Sequence, residues 1–285
     1  MVNNEEENWT LVIDKKSNKS ILQILKSILS YKDLLFLFVK RDFIAQYKQT
    51  LLGPLWFFIQ PVLTTITFSV IFGNLAKIST DGIPNILFYM TGITFWNYFA
   101  DCVNKTSNTF TLNQGLFGKV YFPRLIVPIS IILTNLLKFC IKFFLLIIFW
   151  IYYFSISDSI IIQNTILFFP LLIFSMALLG LGVGMVISSL TTKYRDLSFL
   201  VTFGVQLLMY ASPIVYPLSI VPIKYKWIIL LNPMTSIIET FKHGFIGVGV
   251  FEPVWLIYSF FISVLLFFIG VKIFNKVEKS FIDTV

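Results

Sequence analysis

Residues 125–154 read LIVPISIILTNLLKFCIKFFLLIIFWIYYF, and this stretch decides the fold class. A helix needs roughly 20 mostly apolar residues to cross the hydrocarbon core of a bilayer. In a strand of a membrane barrel the apolar residues would alternate with polar ones, and here they do not. The stretch therefore predicts a membrane-spanning α-helix, long enough that one end extends beyond the hydrocarbon core.

The composition of the whole chain also indicates an integral membrane protein. Of its 285 residues, 57% are hydrophobic and only 13% are charged, whereas soluble domains carry about 25% charged residues. A soluble domain of this length could not bury so many large apolar side chains, because its surface remains too large. The net charge of +8 does not indicate nucleic-acid binding, since the cations separate apolar segments instead of forming one basic surface.

Six apolar runs predict six membrane spans. They lie at about residues 55–75, 83–103, 125–154, 160–190, 199–216 and 254–274. Lysine and arginine concentrate in the N-terminal tail, in the loops after the second and fourth runs, and at the C-terminal end. The opposite loops carry only Lys77, Lys224, Lys226 and Lys242. Because positive residues favour the cytoplasmic side, we predict an all-α membrane protein with both termini in the cytoplasm.

Two amphipathic segments lie outside the predicted spans. Residues 20–50 follow a polar tail, residues 1–19, and predict a helix that lies in the membrane interface or against a partner protein. The sequence favours neither of these two roles. Residues 217–250 of the membrane domain (51–285) are interrupted by three prolines. They fit two short re-entrant helices in the outer leaflet, since irregular backbone at membrane depth must be buried in protein.

The glycines in LGLGVGM, residues 179–185, predict a close helix contact. Gly180 and Gly184 are four positions apart, and small residues at this spacing let two membrane helices approach each other. The alternative is a flexible gate at the same place.

The sequence holds no motif for ATP hydrolysis. The nearest match to a phosphate-binding loop, NQGLFGKVYF at residues 113–122, lacks the first glycine and the Ser or Thr after Lys119. The single histidine, His243, has no second ligand at metal spacing. The spans also lack the series of buried acidic groups expected of a proton-driven carrier. We therefore predict no catalytic or metal site, and expect another chain to supply the energy.

Four motifs occur in a defined order along the chain. They are RDFIAQYKQTLLGPLWFFIQP (41–61), GKVYFPRLIVP (118–128), TTKYRDLSFLVTFGVQLLMYASPIVYP (191–217) and LLNPMTSIIETFKHG (230–244). With these motifs the chain resembles the permease subunit of the type-2 ABC exporters, in the branch that exports O-antigen, teichoic acid and capsule-like polysaccharides. The resemblance covers nearly all of the chain from about residue 30 onward.

The resemblance implies that two copies of this chain pair with two copies of a separate ATPase. That ATPase would bind ATP and magnesium, so this chain would need no cofactor of its own. The resemblance also implies a coupling helix at about residues 111–122, and gating helices after the fifth span. The residues that it places against the ATPase are Gln114, Leu116, Phe117, Lys119, Tyr194, Arg195 and Asp196.

The turn that contains Tyr194, Arg195 and Asp196 has other possible roles. It could be solvated, with cations that serve only the membrane topology. Arg195 could also bridge to Asp42 or to Asp196 within the chain. The sequence leaves these alternatives open.

Aromatic residues are the first candidates for contact with a glycan. Aromatic rings stack on the C–H surfaces of sugars, so the predicted substrate path contains Trp56, Phe57, Trp96, Tyr98 and Tyr210. The alternative is structural, because aromatic residues are also common at membrane interfaces and in packed bundles.

Basic residues of the third span are the second candidates. Lys138 and Lys142 are four apart and share one face of the helix, with Lys142 roughly 10 Å below the cytoplasmic boundary. Their long stems could carry the ammonium groups back to lipid phosphates at the interface. The alternative is that they bind, with Arg124, the pyrophosphate of a polyprenyl-linked glycan, because ammonium groups suit a mobile phosphate.

These observations lead to one predicted function and two rivals. We predict export of a lipid-linked polysaccharide, of the O-antigen or teichoic-acid type, across the bacterial cytoplasmic membrane. The expected partners are the ATPase, a second copy of the chain, the lipid-linked glycan and membrane lipids, without nucleic acid. The first rival is a type-2 ABC exporter of a small hydrophobic drug or lipid. The second is a membrane enzyme acting on lipid carriers, which the missing acid–base pair disfavours.

Overall fold

A computed structural model describes residues 29–48, 50–120, 122–157 and 160–282, with side chains described up to Glu278. This part of the chain is helical and contains no strand. Its helices are α1 (Lys32–Ala45), α2 (Trp56–Phe68), α3 (Asn85–Thr106), α4 (Thr109–Leu112), α5 (Gln114–Phe117), α6 (Ile126–Ile156), α7 (Phe169–Thr191), α8 (Leu197–Tyr210), α9 (Ile223–Leu230), α10 (Pro233–Ile246) and α11 (Pro253–Ile282). A π-helical turn, Ser69–Leu75, continues α2, and 3-10 turns precede α2 and α7 (Gly53–Leu55, Asn164–Phe168).

Within the described residues, four helical segments are long and apolar enough to cross a membrane. They are Gly53–Leu75, Ile126–Ile156, Asn164–Thr191 and Pro253–Glu278. They coincide with the first, third, fourth and sixth predicted spans, which confirms an α-helical integral membrane protein.

The second and fifth predicted spans correspond to α3 and α8. Helix α3 has 22 residues, and α8 has only 14, which makes α8 roughly 21 Å long. The prediction extended the fifth span to residue 216, whereas the helix ends at Tyr210. Pro213 explains the early end, because a proline disfavours helical backbone in the residue before it. The full set of six spans therefore stays a prediction.

Helix α1 is the described part of the predicted interface helix. It packs inward through Phe38, whose ring meets the ring of Phe122 edge-on at 5.7 Å between centroids. Its outer side exposes apolar residues, including Phe36 at 66% and Leu37 at 59%. Residues 20–28 of that prediction lie outside the described residues.

Glycines let α7 approach its neighbours α3 and α11. A β-carbon added at Gly180 or Gly184 would lie 2.7 Å or 2.5 Å, respectively, from a side-chain carbon of α3. One added at Gly182 would lie 2.6 Å from the backbone carbonyl carbon of Leu266 on α11. Such approaches require the absence of a side chain. The predicted packing role of Gly180 and Gly184 is confirmed.

Substitution of Gly182 by alanine is expected to lower the free energy of unfolding by about 1–3 kcal/mol, because the new methyl group would meet backbone atoms that cannot yield. The matched control is Gly115→Ala on α5, where an added β-carbon has nothing within 4 Å. Thermal unfolding of both variants in detergent would compare them. A Gly182→Ala protein as stable as the Gly115→Ala protein would contradict this account of the α7–α11 contact.

Local sequence signals define the ends of α10. Asn232 caps the first turn, since its side chain accepts a hydrogen bond from the Met234 backbone N–H at 3.1 Å. Pro233 follows at the first helical position, where its missing N–H costs nothing. Gly247 ends the helix with a left-handed φ of 78°, a conformation that glycine adopts without a steric penalty. Helices α9 and α10 are thus the two short helices predicted for residues 217–250, whereas their re-entrant position stays a prediction.

A buried ion pair fixes α10 within the bundle. Lys242 and Glu239 have side chains 0% and 1% exposed, with 3.6 Å between Nζ and Oε1. Lys242 Nζ also donates to the Pro213 carbonyl at 2.6 Å and lies 3.8 Å from the centre of the Phe88 ring. Glu239 accepts a hydrogen bond from the Val250 N–H at 3.1 Å. The pair therefore connects α10 with α3, with the segment after α8 and with the loop before α11.

The burial of Lys242 corrects one detail of the topology argument. The sequence placed this lysine with the cations of an outer loop, but its side chain is fully buried. Its charge is balanced by Glu239 and the Pro213 carbonyl, so it is unsuited as a marker of a water-facing loop.

Candidate functional site

The predicted coupling helix is two short helices, α4 and α5. They are separated at Asn113, whose φ of −112° and ψ of 17° are not helical. The residues predicted to meet the ATPase differ in exposure. Gln114 and Lys119 are exposed and Leu116 is half-buried, whereas Phe117 is only 5% exposed. Phe117 therefore belongs to the permease's own core and has little surface to offer a partner.

Two apolar residues of this segment are exposed instead. Leu112 is 78% exposed and Val120 is 55% exposed. Neither was among the residues predicted to meet the ATPase, because residues 111–122 were predicted to form one continuous helix. The break at Asn113 changes which side chains share a face. These two residues extend the exposed surface formed by Gln114 and Lys119.

Arg124 fastens the coupling segment to the end of α11. Its guanidinium donates to the carbonyl of Phe117 at 3.4 Å and to the carbonyl of Glu278 at 3.3 Å. It also lies 5.1 Å from the centre of the Phe117 ring. Burial lowers the pKa of Arg124, and the charge of Glu278 opposes that shift. Lys138 lies roughly 18 Å further along α6, so the structure does not bring Arg124 together with the two lysines.

The turn between α7 and α8 lies at the same end of the bundle as the coupling segment. The Thr191 hydroxyl at the end of α7 donates to the carbonyl of Ser107, just before α4, at 2.8 Å. The predicted contact residues Tyr194, Arg195 and Asp196 follow, and all three are exposed. Asp42, one proposed partner of Arg195, is paired with Arg41 at 2.8 Å. The turn and the coupling segment can therefore form one continuous surface.

A group of basic and polar residues meets between α3 and α6. Lys138 and Lys142 are 5% and 8% exposed. Lys138 Nζ donates to Asn135 Oδ1 at 2.9 Å, and Lys142 Nζ lies 4.0 Å from Asp101 Oδ2. Lys105 follows Asp101 by four residues on α3 and so lies on the same face of that helix. These five residues (Asp101, Lys105, Asn135, Lys138 and Lys142) are called the lysine cluster below.

The positions of Lys138 and Lys142 bear on the two roles predicted for them, which both stay predictions. A lysine that carries its ammonium group to the membrane surface keeps that group in water. Here both ammonium groups are buried, one against Asn135 and the other toward Asp101 of α3. Both side chains thus end inside the helix bundle in this structure.

A polar stripe runs along α3 and reaches the lysine cluster. Its members are partly exposed at helical spacing, whereas Cys102, Val103 and Thr106 beside them are buried. The stripe consists of Asn97, Asp101, Asn104 and Lys105 on α3, and of Asn108 just after the end of this helix. Polar groups of this kind are costly against lipid. This face of α3 therefore requires protein or water beside it. The helical spacing of these polar residues is the sequence signal that indicates such a face.

The aromatic residues predicted for the substrate path do not share one surface. Trp96 and Tyr98 are each 2% exposed, and they pack on Phe99 and Phe139 respectively. Both belong to the core on either side of the polar stripe. The remaining three lie on outer helices.

Those three aromatic residues are on α2 and α8. Trp56 and Tyr210 are 45% and 46% exposed. Phe57 is half-buried and stacks on Phe43 of α1 at 5.4 Å between centroids. Of the five predicted path residues, only Trp56 and Tyr210 are therefore exposed, each by a little under half.

Comparison with known proteins identifies the family. The sequence model of the ABC-2 type transporter family matches residues 33–246, more than half of the chain. The O-antigen export system permease protein RfbA of Klebsiella pneumoniae is 28% identical over 88% of this chain and 94% of its own length. RfbA of Myxococcus xanthus is 24% identical over 93% of this chain and 100% of its own length. The polysialic acid transport protein KpsM of Escherichia coli is 24% identical over 86% of this chain and 93% of its own length. The chain belongs to the ABC-2 type transporter family.

Proposed function

We propose that this chain is the permease subunit of an ATP-driven exporter. It moves a lipid-linked polysaccharide, of the O-antigen or teichoic-acid type, outward across the bacterial cytoplasmic membrane. One observation carries the proposal: relatives similar over 86–93% of the chain are permeases or transport proteins for O-antigen and polysialic acid. Their names favour a polysaccharide over a small drug or lipid as the substrate.

The surface for the ATPase is the exposed end of the bundle around α4, α5 and the α7–α8 turn. We define this coupling surface by Leu112, Gln114, Lys119, Val120, Tyr194 and Arg195. It combines apolar groups with cations, and clusters of exposed apolar groups are typical of protein contacts. The partner would bind ATP and magnesium, and the coupling surface would transmit its motion to α3, α6 and α7. Both chain termini lie on this cytoplasmic side in the proposed topology.

A second copy of the chain would cover α2 and α8. Helix α8 has no buried residue, and α2 buries only Pro61 and Thr65. The exposed groups on α8 include Phe199 at 79% and Phe203 at 60%. Packing of these helices in a homodimer would place the partly exposed polar stripe of α3 beside an interior passage. Such a passage suits a hydrated glycan, with Trp56 and Tyr210 as aromatic contacts.

The first experiment concerns energy and stoichiometry. The purified chain is expected to hydrolyse no ATP, because no phosphate-binding loop is present in its sequence. Co-expression with the ATPase encoded beside it is expected to give a complex of two permeases and two ATPases, measurable by mass in detergent. ATP hydrolysis by a permease preparation free of the partner would contradict the proposal.

The second experiment concerns the substrate. Mass spectrometry of lipids that copurify with the complex is expected to detect a glycan on a lipid carrier. Inverted membrane vesicles are expected to take up that glycan only when ATP is supplied. A complex that carries only small lipids, and that extrudes a hydrophobic dye instead, would favour the drug or lipid exporter.

A further inference from the structure

We propose that the lysine cluster binds a phosphate-bearing headgroup of the lipid carrier on its way through the bundle. The inference rests on the proposed function, since it names where a lipid-linked substrate would be held. It assigns the ligand by chemistry, as a phosphate or pyrophosphate group attached to a lipid.

The charges of the lysine cluster are unequal. It contains three lysines, Lys105, Lys138 and Lys142, but a single carboxylate, that of Asp101, which lies near Lys142. The Lys142–Asp101 distance of 4.0 Å is at the limit of an ion pair, so this carboxylate neutralises the cluster incompletely. Buried charges are normally paired. A bound anion with about two negative charges would restore the balance.

The hydrogen bonding of the lysine cluster also suits a phosphate group. An ammonium group has three N–H donors and no acceptor. Lys138 donates to Asn135 Oδ1 at 2.9 Å, which orients the group while leaving donor capacity for a ligand. Lysine binds phosphate as a point charge without a fixed geometry. That property suits a headgroup that must be held and then released.

The lysine cluster is accessible to a ligand from one side. The Asp101 side chain is 40% exposed and that of Lys142 is 10% exposed, and Lys105 is half-buried. The cluster is thus reached from the polar stripe of α3, while its interior is shielded. A headgroup moving along the stripe would meet Lys105 and Asp101 before the two lysines of α6.

The depth of the lysine cluster in the membrane restricts which phosphates can reach it. Helix α6 has 31 residues, or roughly 46 Å, against a hydrocarbon core of about 30 Å. With the excess on the cytoplasmic side, Lys138 and Lys142 lie roughly 2 Å and 8 Å inside the core. Phosphates of ordinary bilayer lipids stay outside that boundary. The cluster therefore selects a headgroup that has entered the bundle.

The test measures binding of defined lipids to the full chain in nanodiscs. The probes are a synthetic polyprenyl pyrophosphate, the matching polyprenol without phosphate, and free inorganic pyrophosphate. A Lys138→Met, Lys142→Met double variant is expected to bind polyprenyl pyrophosphate about 10- to 100-fold more weakly than wild type, since charge-assisted hydrogen bonds are lost. Binding of polyprenol is expected to stay unchanged. A Lys224→Met, Lys226→Met pair on α9 is the matched control and should bind as wild type does.

Further variants keep the test decisive if the double methionine variant folds poorly. Arginine at positions 138 and 142 is expected to retain binding within a few-fold, because the charge remains. Lys105→Met, at a half-buried position, is expected to weaken binding about tenfold. Unchanged affinity for polyprenyl pyrophosphate in Lys105→Met and in a folded double methionine variant would overturn the site. Equal affinity of wild type for free pyrophosphate would overturn the assignment to a lipid headgroup.

Export assays separate this inference from the proposed function. Normal polysaccharide export by the double methionine variant would overturn the site and leave the proposed function intact. Failure of the wild-type complex to export any glycan, with charge-dependent binding of the lipid probe preserved, would overturn the proposed function and support the site.

Discussion

Replacement of Leu112 and Val120 together by aspartate is expected to abolish polysaccharide export while leaving the permease folded and inserted. The two side chains are 78% and 55% exposed, so the fold does not depend on them. An apolar anchor at a protein interface contributes about 2 kcal/mol or more. Loss of two anchors, with two carboxylates added, should weaken ATPase binding by about a hundredfold or more. The measurement is the amount of ATPase that copurifies with the permease, together with export in vesicles.

The control for this experiment is Phe117→Ala. Phe117 is 5% exposed and packs against Phe110 and Phe122 at 5.9 Å and 6.0 Å between ring centroids. Its truncation should cost about 3–5 kcal/mol of stability through a cavity. The two variants thus fail differently, one in assembly and the other in folding. Undiminished copurification and export in the double aspartate variant would show that the coupling surface lies elsewhere.

The comparison of sequence and structure shows why spans were predicted well. A membrane span needs a continuous apolar run, which is a local property, so Ile126–Ile156 lies within two residues of its predicted bounds at both ends. The fifth span was predicted too long because hydropathy does not register the backbone effect of Pro213. Hydropathy therefore locates a span but does not define where its helix stops.

The orientation of side chains was predicted less well. Successive residues on a helix point about 100° apart, so the buried Trp96 and the partly exposed Asn97 face different surroundings. Which direction is the core depends on the neighbouring helices, and the composition of α3 alone does not reveal them. The same reasoning applies to Phe117 and Leu112, where the break at Asn113 changed the faces. The residues of the polar stripe stand at helical spacing in the sequence, so this face of α3 could have been predicted from it.

Distant contacts were the least predictable part. Glu239 and Lys242 are three apart on one helix, a spacing that ordinarily indicates a solvated surface pair. Their burial depends on Phe88 and Pro213, which come from α3 and from the segment after α8. Neither contact leaves a signal near α10 in the sequence. The energetic consequence of this burial is large, and it can be measured.

Substitution of Lys242 by methionine is expected to lower the free energy of unfolding by about 3–5 kcal/mol, because Glu239 would be left buried without its cation. Methionine has a similar volume, so the loss would come from charge and not from a cavity. The measurement is the thermal unfolding midpoint in detergent, with the yield of monodisperse protein. The exposed Lys224, the second residue of α9, gives the control variant Lys224→Met, which should match wild type.

A double variant distinguishes the effect of removing one charge of the ion pair from the effect of removing both. The Glu239→Leu, Lys242→Met double variant removes both charges, and apolar replacement of a whole buried pair is often neutral or better. Here the Pro213 carbonyl and the Val250 N–H would also lose their partners, at about 1–3 kcal/mol each. The double variant should therefore recover part of the stability lost by Lys242→Met, but not all of it. A Lys242→Met protein as stable as Lys224→Met would mean that Glu239 is already neutral and that the pair does not hold α10 through charge.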